Sequence, residues 1–334
     1  MKKGIAVAGN MIVDMLYPTN GLPKPGELVT ITGDMTLSTG GCLCNDIIDL
    51  AALDPTLPLT ALGRMGDDSE GDFVLSKLRA WPNIDLSQIR RGGTTSYTLV
   101  MADELTKHRS FFVCRGANAE FCEADIDWDT LDVDLLHVGY ILLLDALDAP
   151  DDTYGTKMAR LLHTAQQRGI RTSIDVVSEV GERFRHIVTP ALKYTDYCII
   201  NELEAQATTG VPLVDDAGRL IRENLPAALK RMKALGVSTW AVIHSPEGGF
   251  GLDEHDRYVA MDSLDLPEGF IKGTVGAGDA FCAGVLYAAE KNWPLREGLR
   301  LGACAAAASL HEVGATEGIG TVSEVLALEE KYGA

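Results

Sequence analysis

Hydrophobic and polar positions fall into short blocks along this chain, and the period of the blocks changes in an ordered way. Residues 4–9, Gly-Ile-Ala-Val-Ala-Gly, are an unbroken apolar run of the kind found in a strand buried on both faces. The pattern carries that strand on through Asn10, so Asp14 is expected near its end, where open α/β sheets place their ligands. Pro18, Pro23 and Pro25 then interrupt the chain, and Leu28–Thr32 reads as a short antiparallel strand. A helix is predicted from Gly40-Gly41 through about Leu53, a strand over Leu57–Leu62, and a helix from about Asp72 to Arg79. Residues 94–101 and 109–114 alternate with a period of two, as a hairpin turning at 102–108. With residues 11–17 and 28–37 they make up a candidate small, separate sheet.

Beyond residue 134 strands and helices take turns. Strands are predicted at Leu135–Val138, Arg171–Val177, Cys198–Ile200 and Trp240–His244, with helices near Thr153–Arg168, Glu202–Thr208 and Leu225–Leu235. Gly249–Leu252 and Tyr258–Met261 read as edge strands, and Ala280–Lys291 as a helix. This rhythm predicts a mostly parallel sheet covered by helices on both faces.

Composition narrows the partners. The chain has 334 residues, 46% hydrophobic and 23% charged, with a net charge of −19, enough apolar content for a full core. Such acidity disfavours nucleic acid and anionic membrane as partners. The basic Met1-Lys2-Lys3 precedes an apolar stretch that Gly9, Asn10 and Asp14 break up, so a first strand is expected there rather than a signal peptide. The seven cysteines are scattered, and Cys42-x-Cys44 is too close for a zinc knuckle. Free thiols in a reducing cytoplasm are expected.

The chemistry concentrates at Gly273-Thr274-Val275-Gly276-Ala277-Gly278-Asp279, directly before the Ala280 helix. Glycines bring bare N–H groups close to a ligand, and a helix start adds more of them with the positive end of its dipole. Gly276, Ala277 and Gly278 therefore form a candidate anion site. Two roles fit Asp279: a helix cap, or a base that takes a proton from an attacking hydroxyl. There is no G-x-x-x-x-G-K-[ST], no G-x-G-x-x-G after the first strand, and neither H-E-x-x-H nor G-x-S-x-G.

These features resemble the ribokinase-like (PfkB) family of small-molecule kinases over residues 5–316. Gly276-Ala277-Gly278-Asp279, followed by Ala283-Gly284, is similar to the family's second signature, and Gly40-Gly41-x-x-x-Asn45 to its first. Gly63-x-x-Gly66-x-Asp68-x-x-Gly71 and Asn201-x-x-Glu204 match two further family segments, and Arg109–Asn118 is similar to one that returns the chain from lid to core. The resemblance implies one ribokinase-like three-layer α/β/α domain over residues 1–334, with a small β-sheet lid from approximately 11–38 and 92–116. It implies ATP and Mg²⁺ as cofactors and a small sugar as acceptor, phosphorylated on a hydroxymethyl group. By the same token Asp279 is the base over a Gly276–Gly278 anion hole, and Asp14, Gly40, Gly41, Asn45 and Arg115 face the acceptor. Asn201, Glu204, His244, Gly248, Thr274, Gly276 and Gly278 face the nucleotide, and Glu204 organises Mg²⁺ indirectly. A homodimer through the exposed lid edge is expected. Two alternatives stay open: a nucleoside kinase of the same family, with Tyr97, Phe111 and Phe112 as an aromatic wall, and a catalytically silent sugar-binding sensor.

The chain departs from the family pattern in three places. Gly273 stands where most members have an aspartate that helps hold a monovalent cation, which leaves a K⁺ requirement open. Cys42 stands where ribokinase has lysine, so ribose is not implied. Asp175-Val176-Val177-Ser178-Glu179 replaces the common Asp-Pro-Asn-x-Arg.

Overall fold

A computed structural model of the chain describes residues 4–106, 108–178 and 183–333. The chain opens with β1 (Ile5–Ala8), β2 (Ile12–Thr19), β3 (Thr36–Gly40) and α1 (Cys42–Leu53). Then come β4 (Leu59–Met65), α2 (Ser69–Leu78), the short β5 (Ile84–Asp85) and β6 (Ile89–Arg91), β7 (Tyr97–Asp103) and β8 (Arg109–Cys114). The middle runs through β9 (Leu135–Ile141), one turn of helix α3 (Asp145–Asp148), the paired β10 (Pro150–Asp151) and β11 (Gly155–Thr156), α4 (Lys157–Gln167) and β12 (Arg171–Val176). It continues with α5 (Arg183–Leu192), β13 (Tyr197–Asn201), α6 (Glu202–Thr209) and α7 (Leu225–Leu235). The last third holds β14 (Trp240–Ser245), β15 (Gly248–Leu252), β16 (Tyr258–Asp262), α8 (Ala277–Glu290), α9 (Leu295–Ser309) and α10 (Val322–Tyr332).

The large sheet has the order β16-β15-β14-β13-β12-β9-β1-β4-β5, with β6 also on β4. From β5 to β14 every pairing is parallel, and only β15 and β16 run antiparallel. Parallel strands need covering on both faces, and two apolar layers supply it. One packs Leu43 and Ile47 of α1, Val74 of α2, Phe281 and Leu286 of α8 and Leu299 of α9 against the sheet. The other packs Leu161 of α4, Val188 of α5, Ala205 of α6 and Leu229 of α7. The result is a three-layer α/β/α domain, and the four-stranded sheet β3-β2-β7-β8 forms its lid.

Two local expectations are corrected. The first strand ends at Ala8, and Asp14 lies in the lid on β2, opposite Ser38. The buried Asn118 amide diverts the chain. It accepts from Met11 N–H at 3.2 Å and donates to Met11 C=O at 2.9 Å, taking up main-chain groups that would have continued the ladder. The strand expected at Leu28–Thr32 is reduced to a single bridge, Thr19 to Ile31, and the lid strand is Thr36–Gly40 instead. Leu28 is almost fully exposed, so its apolar character serves no packing there.

The glycine-rich segment 63–71 is a joint between core and lid. Asp68 caps α2 by accepting from Gly71 N–H at 2.9 Å, and its other oxygen accepts from Thr95 N–H at 2.8 Å at the root of β7. The cap starts α2 at Ser69, three residues before the sequence pattern places it. Asp68→Ala should therefore cost about 1–2 kcal/mol, the usual loss for a helix cap. Urea unfolding checks this: the midpoint should fall with an unchanged slope, and an unchanged midpoint would count against the joint.

Candidate active site

Two cavities meet where α8 begins. The narrower, about 240 Å³, is polar and is lined by Tyr140, Asp175, Ser178, Asn201, Glu204 and Asp279, with Gly276 and Gly278 at its edge. The wider, about 590 Å³, has walls from Leu264, Leu266, Ile271, Phe281, Ala303 and Ala307. Asn201, His244 and Gly278 line both.

The start of α8 is bare. Gly276 is the N-cap, with φ 81°, and no side chain caps the helix. A side chain at 276 would put its Cβ 2.5 Å from Ala315 O, so glycine is required both by the left-handed backbone and by the close approach. The first-turn N–H groups have no partners within the helix, and Gly276, Ala277 and Gly278 line the cavities.

Asp279 sits in that first turn but does not cap it. One carboxylate oxygen accepts from Asn45 Nδ2 at 2.7 Å, and the Tyr140 hydroxyl lies 3.1 Å from both oxygens. Burial, and after it the nearby Asp46 and Asp175 carboxylates, hold the Asp279 carboxyl well above the usual range, while the bonds from Asn45 and Tyr140 pull it back. A raised carboxyl is a stronger proton acceptor once ionised.

Asn45 reaches Asp279 because α1 is buried along its whole length. Gly41, φ 87°, lets the helix begin 2.5 Å (measured from an added Cβ) from Asn10 O. Asn45 Oδ1 and Asn10 Nδ2 are buried with no protein partner, and neither residue lines either of the two cavities. Asp14 reaches in from the lid and packs so closely on Gly40 that any side chain there would strike its carboxylate. Burial raises its pKa, against a bond from Thr98. Arg115 is already paired: its guanidinium donates to Leu142 O at 3.0 Å and to Asp145 at 2.9 Å.

On the other side Asn201 and Glu204 form a reciprocal cap on α6, each side chain accepting from the other's N–H at 2.9 Å. The Ser178 hydroxyl donates to Glu204 at 2.8 Å. Burial pushes Glu204 up to about 8 despite those bonds. His244 stacks on Phe281 with ring centroids 5.1 Å apart, and burial brings it down to about 4, so it is neutral near pH 7. Gly248 and Thr274 line the wider cavity. Glu179 lies outside the described residues. At Gly273 an added Cβ would sit 2.7 Å from Glu312 O and 2.9 Å from Val313 O, so the main chain has closed over the place where an aspartate side chain would start.

The residues present fit the expected cofactors. The wider cavity has the size and apolar lining for an adenosine group, and the bare α8 start suits phosphate. The narrower cavity offers oxygen donors from Asp175, Ser178, Asn201 and Glu204, the donor type Mg²⁺ takes.

Tyr140 was not singled out by sequence. It has φ 55°, left-handed for a bulky residue, with its N–H on Asp175 Oδ1. The available signal was its place just beyond Gly139, at the carboxyl end of the central strand.

A lidded three-layer domain with an anion cradle beside a buried carboxylate has the make-up of a small-molecule kinase. The chain belongs to the pfkB family of carbohydrate kinases, whose model matches residues 2–321. It is 26% identical over 262 residues to an uncharacterized sugar kinase of Archaeoglobus fulgidus, covering 77% of this chain and 93% of that protein. It is 24% identical over 327 residues to a ribokinase of Arabidopsis thaliana, covering 97% of this chain and 80% of that one. In fold it is similar to the ribokinase of Thermotoga maritima, with a TM-score of 0.79, 22% identity, and coverage of 98% and 99% of the two chains. No helix among the described residues is long and apolar enough to cross a membrane.

The raised Glu204 carboxyl has a consequence for stability. Folding holds a proton that the unfolded chain releases near 4.5, so this contribution is complete below pH 4.5 and is lost as pH rises through 8. Glu204→Gln keeps the cap and removes the titration. Thermal melts from pH 4.5 to 8 should show wild type losing stability relative to the variant, and parallel curves would reject the assignment.

Proposed function

We propose that this protein transfers the terminal phosphoryl group of ATP to a hydroxymethyl group of a small sugar, with Asp279 as general base. The bond between Asn45 and Asp279 carries this reading, because it joins the acceptor side of the site to the bare start of α8. Adenine fits the apolar wall of Phe281, Ala303 and Ala307, and Gly248 and Thr274 border it. The phosphates run past Asn201 and His244 toward Gly276, Ala277 and Gly278, whose N–H groups receive the charge that grows on the transferred group. Neutral His244 adds shape rather than charge. Mg²⁺, when bound, neutralises the phosphate oxygens, with Glu204 and Asn201 ordering its surroundings.

The acceptor lies between Asn45, Gly41 and the lid residue Asp14. Its hydroxyl proton passes to an Asp279 oxygen as the oxygen attacks phosphorus, and the bond to the ADP leaving oxygen breaks. The lid excludes water, the competing acceptor. Arg115 holds its loop through Leu142 and Asp145, and it recognises a charged sugar only by giving up that pairing. Against the nucleoside alternative, Phe111 and Phe112 are exposed on the lid strand and Tyr97 packs against the core, so they form no wall in either cavity. The intact cradle favours an active kinase over a silent sensor. The clash at Gly273 explains the missing aspartate without deciding the K⁺ requirement.

Asp279→Asn should lower kcat by about 10²–10⁴-fold, the range for loss of a general base, with nucleotide affinity retained. Coupled ADP release over a panel of sugars and nucleosides, with calorimetry for binding, tests this; near-normal turnover in the variant rejects the base.

We also propose a homodimer through the lid, within a cytoplasmic protein. The edge strand β8 exposes Phe111, Phe112 and Val113 in succession, and Leu37 is exposed on the opposite edge strand. Light scattering should give twice the chain mass, and Phe111→Asp with Phe112→Asp should halve it. A wild-type monomer would refute the interface.

A further inference from the structure

Behind the narrower cavity lies a cluster of which only Asp175 borders that cavity. Cys42 and Asp46 stand one turn apart on the inner face of α1. His137 faces them from β9, and Asp175 from the neighbouring β12. All four are buried, and their donor atoms lie within 4.8 Å of one another. His137 Nε2 is 3.1 Å from Asp46 Oδ2, 3.5 Å from Cys42 Sγ and 3.8 Å from Asp175 Oδ2, and Cys42 Sγ is 3.0 Å from Asp46 Oδ2.

We propose that Cys42, Asp46, His137 and Asp175 form a structural site for a divalent transition metal, zinc by preference, that pins α1 to the central sheet. Zinc bonds of about 2.0–2.3 Å at a tetrahedral centre set neighbouring donors about 3.3–3.8 Å apart. Two of the four separations fall in that range and two, at 3.0 and 3.1 Å, lie just below it, so small side-chain movements complete the shell. The other ring nitrogen of His137 lies 3.0 Å from Ser173 Oγ, a partner outside the cluster that orients the ring with Nε2 facing the cluster. Asp46 Oδ1 is buried with no partner, so one lone-pair-bearing atom of the cluster is unsatisfied by protein.

A thiolate, an imidazole and two carboxylates suit Zn²⁺ and not Mg²⁺, which prefers oxygen and water. The site is therefore distinct in kind from the Mg²⁺ surroundings near Glu204. Gly139 supports the role of the thiol: a side chain there would overlap Cys42 Sγ, so the central strand is cut back to admit sulfur. The competing arrangement is a protonated His137 shared between the two carboxylates. It accounts for the oxygens around His137 and for the thiol's bond to Asp46 Oδ2, but it leaves Asp46 Oδ1 without a partner. Entry is through the narrower cavity, which Asp175 lines. Metal binding ejects the Cys42 proton and any proton on His137 to solvent, with no change of oxidation state.

Cobalt replaces zinc as the spectroscopic probe. Protein stripped with a chelator under reducing conditions and titrated with Co²⁺ without air should develop a thiolate-to-cobalt band in the near ultraviolet and strong tetrahedral bands in the visible. Both should saturate at one ion per chain and vanish on adding Zn²⁺, which should also raise the melting temperature. Cys42→Ser should lose the near-ultraviolet band, and Cys44→Ser should keep it. Should Cys42→Ser fail to fold, alkylating the part-exposed Cys114 and Cys122 of wild type should leave the band intact. Absence of the band in wild type, its survival in Cys42→Ser, or its loss on that alkylation would each overturn the metal site in favour of the shared-proton arrangement.

Discussion

One hydrogen bond ties this molecule together: the 2.7 Å contact between Asn45 on α1 and Asp279 on α8. Each residue belongs to a helix that begins at a glycine in left-handed backbone, Gly41 and Gly276, pressed against main-chain oxygen. Neither helix start can carry a side chain at that point. The two helices then pack along each other in the same apolar layer, with Leu43, Ile47, Phe281 and Val285 in one core. The two helix starts that meet at this bond are thus fixed by core packing rather than by loops, which suits the phosphoryl transfer proposed above, since such a reaction depends on alignment.

That packing imposes an electrostatic cost. Asp46, Asp49 and Asp279 are all buried near one another, and Asp175 and Glu204 line the same cavity. Burial raises Asp49 well above the usual carboxylate range, and neither of its oxygens has a protein partner. Within this layer His137 is the basic side chain in contact with the cluster, and the carboxylates around it raise it to about 9 against the opposing effect of burial. A core that only needed filling would carry apolar residues at 46, 49 and 137.

How much of this was legible in the sequence follows from the range of the signal. Gly276, Gly278 and Asp279 act within a few residues, and the composition of that stretch specifies a bare helix start. The alternating strands and helices after residue 134 likewise carry their own period, and the sheet is mostly parallel as that rhythm predicts. Asp14 was read as the end of the first strand, because nothing local announces that Asn118, 107 residues away, takes over the Met11 main chain. Leu28–Thr32 looked like a strand on apolar content, yet Leu28 meets solvent. Tyr140, His137 and Asp46 escaped notice because each acts through a partner on another element, and single residues in apolar runs leave no periodic trace.

The departures from the family pattern separate into two kinds once the geometry is known. Gly273 is a steric consequence: Glu312 O and Val313 O occupy the space beside its Cα, so a side chain there would have to displace main chain. Arg115 belongs with it, since its charge is spent on Leu142 O and Asp145 within the protein. Cys42 is different. Its thiol touches a carboxylate and an imidazole, and it requires glycine at 139 on another element. Cysteine at 42 is fully buried and belongs to the core.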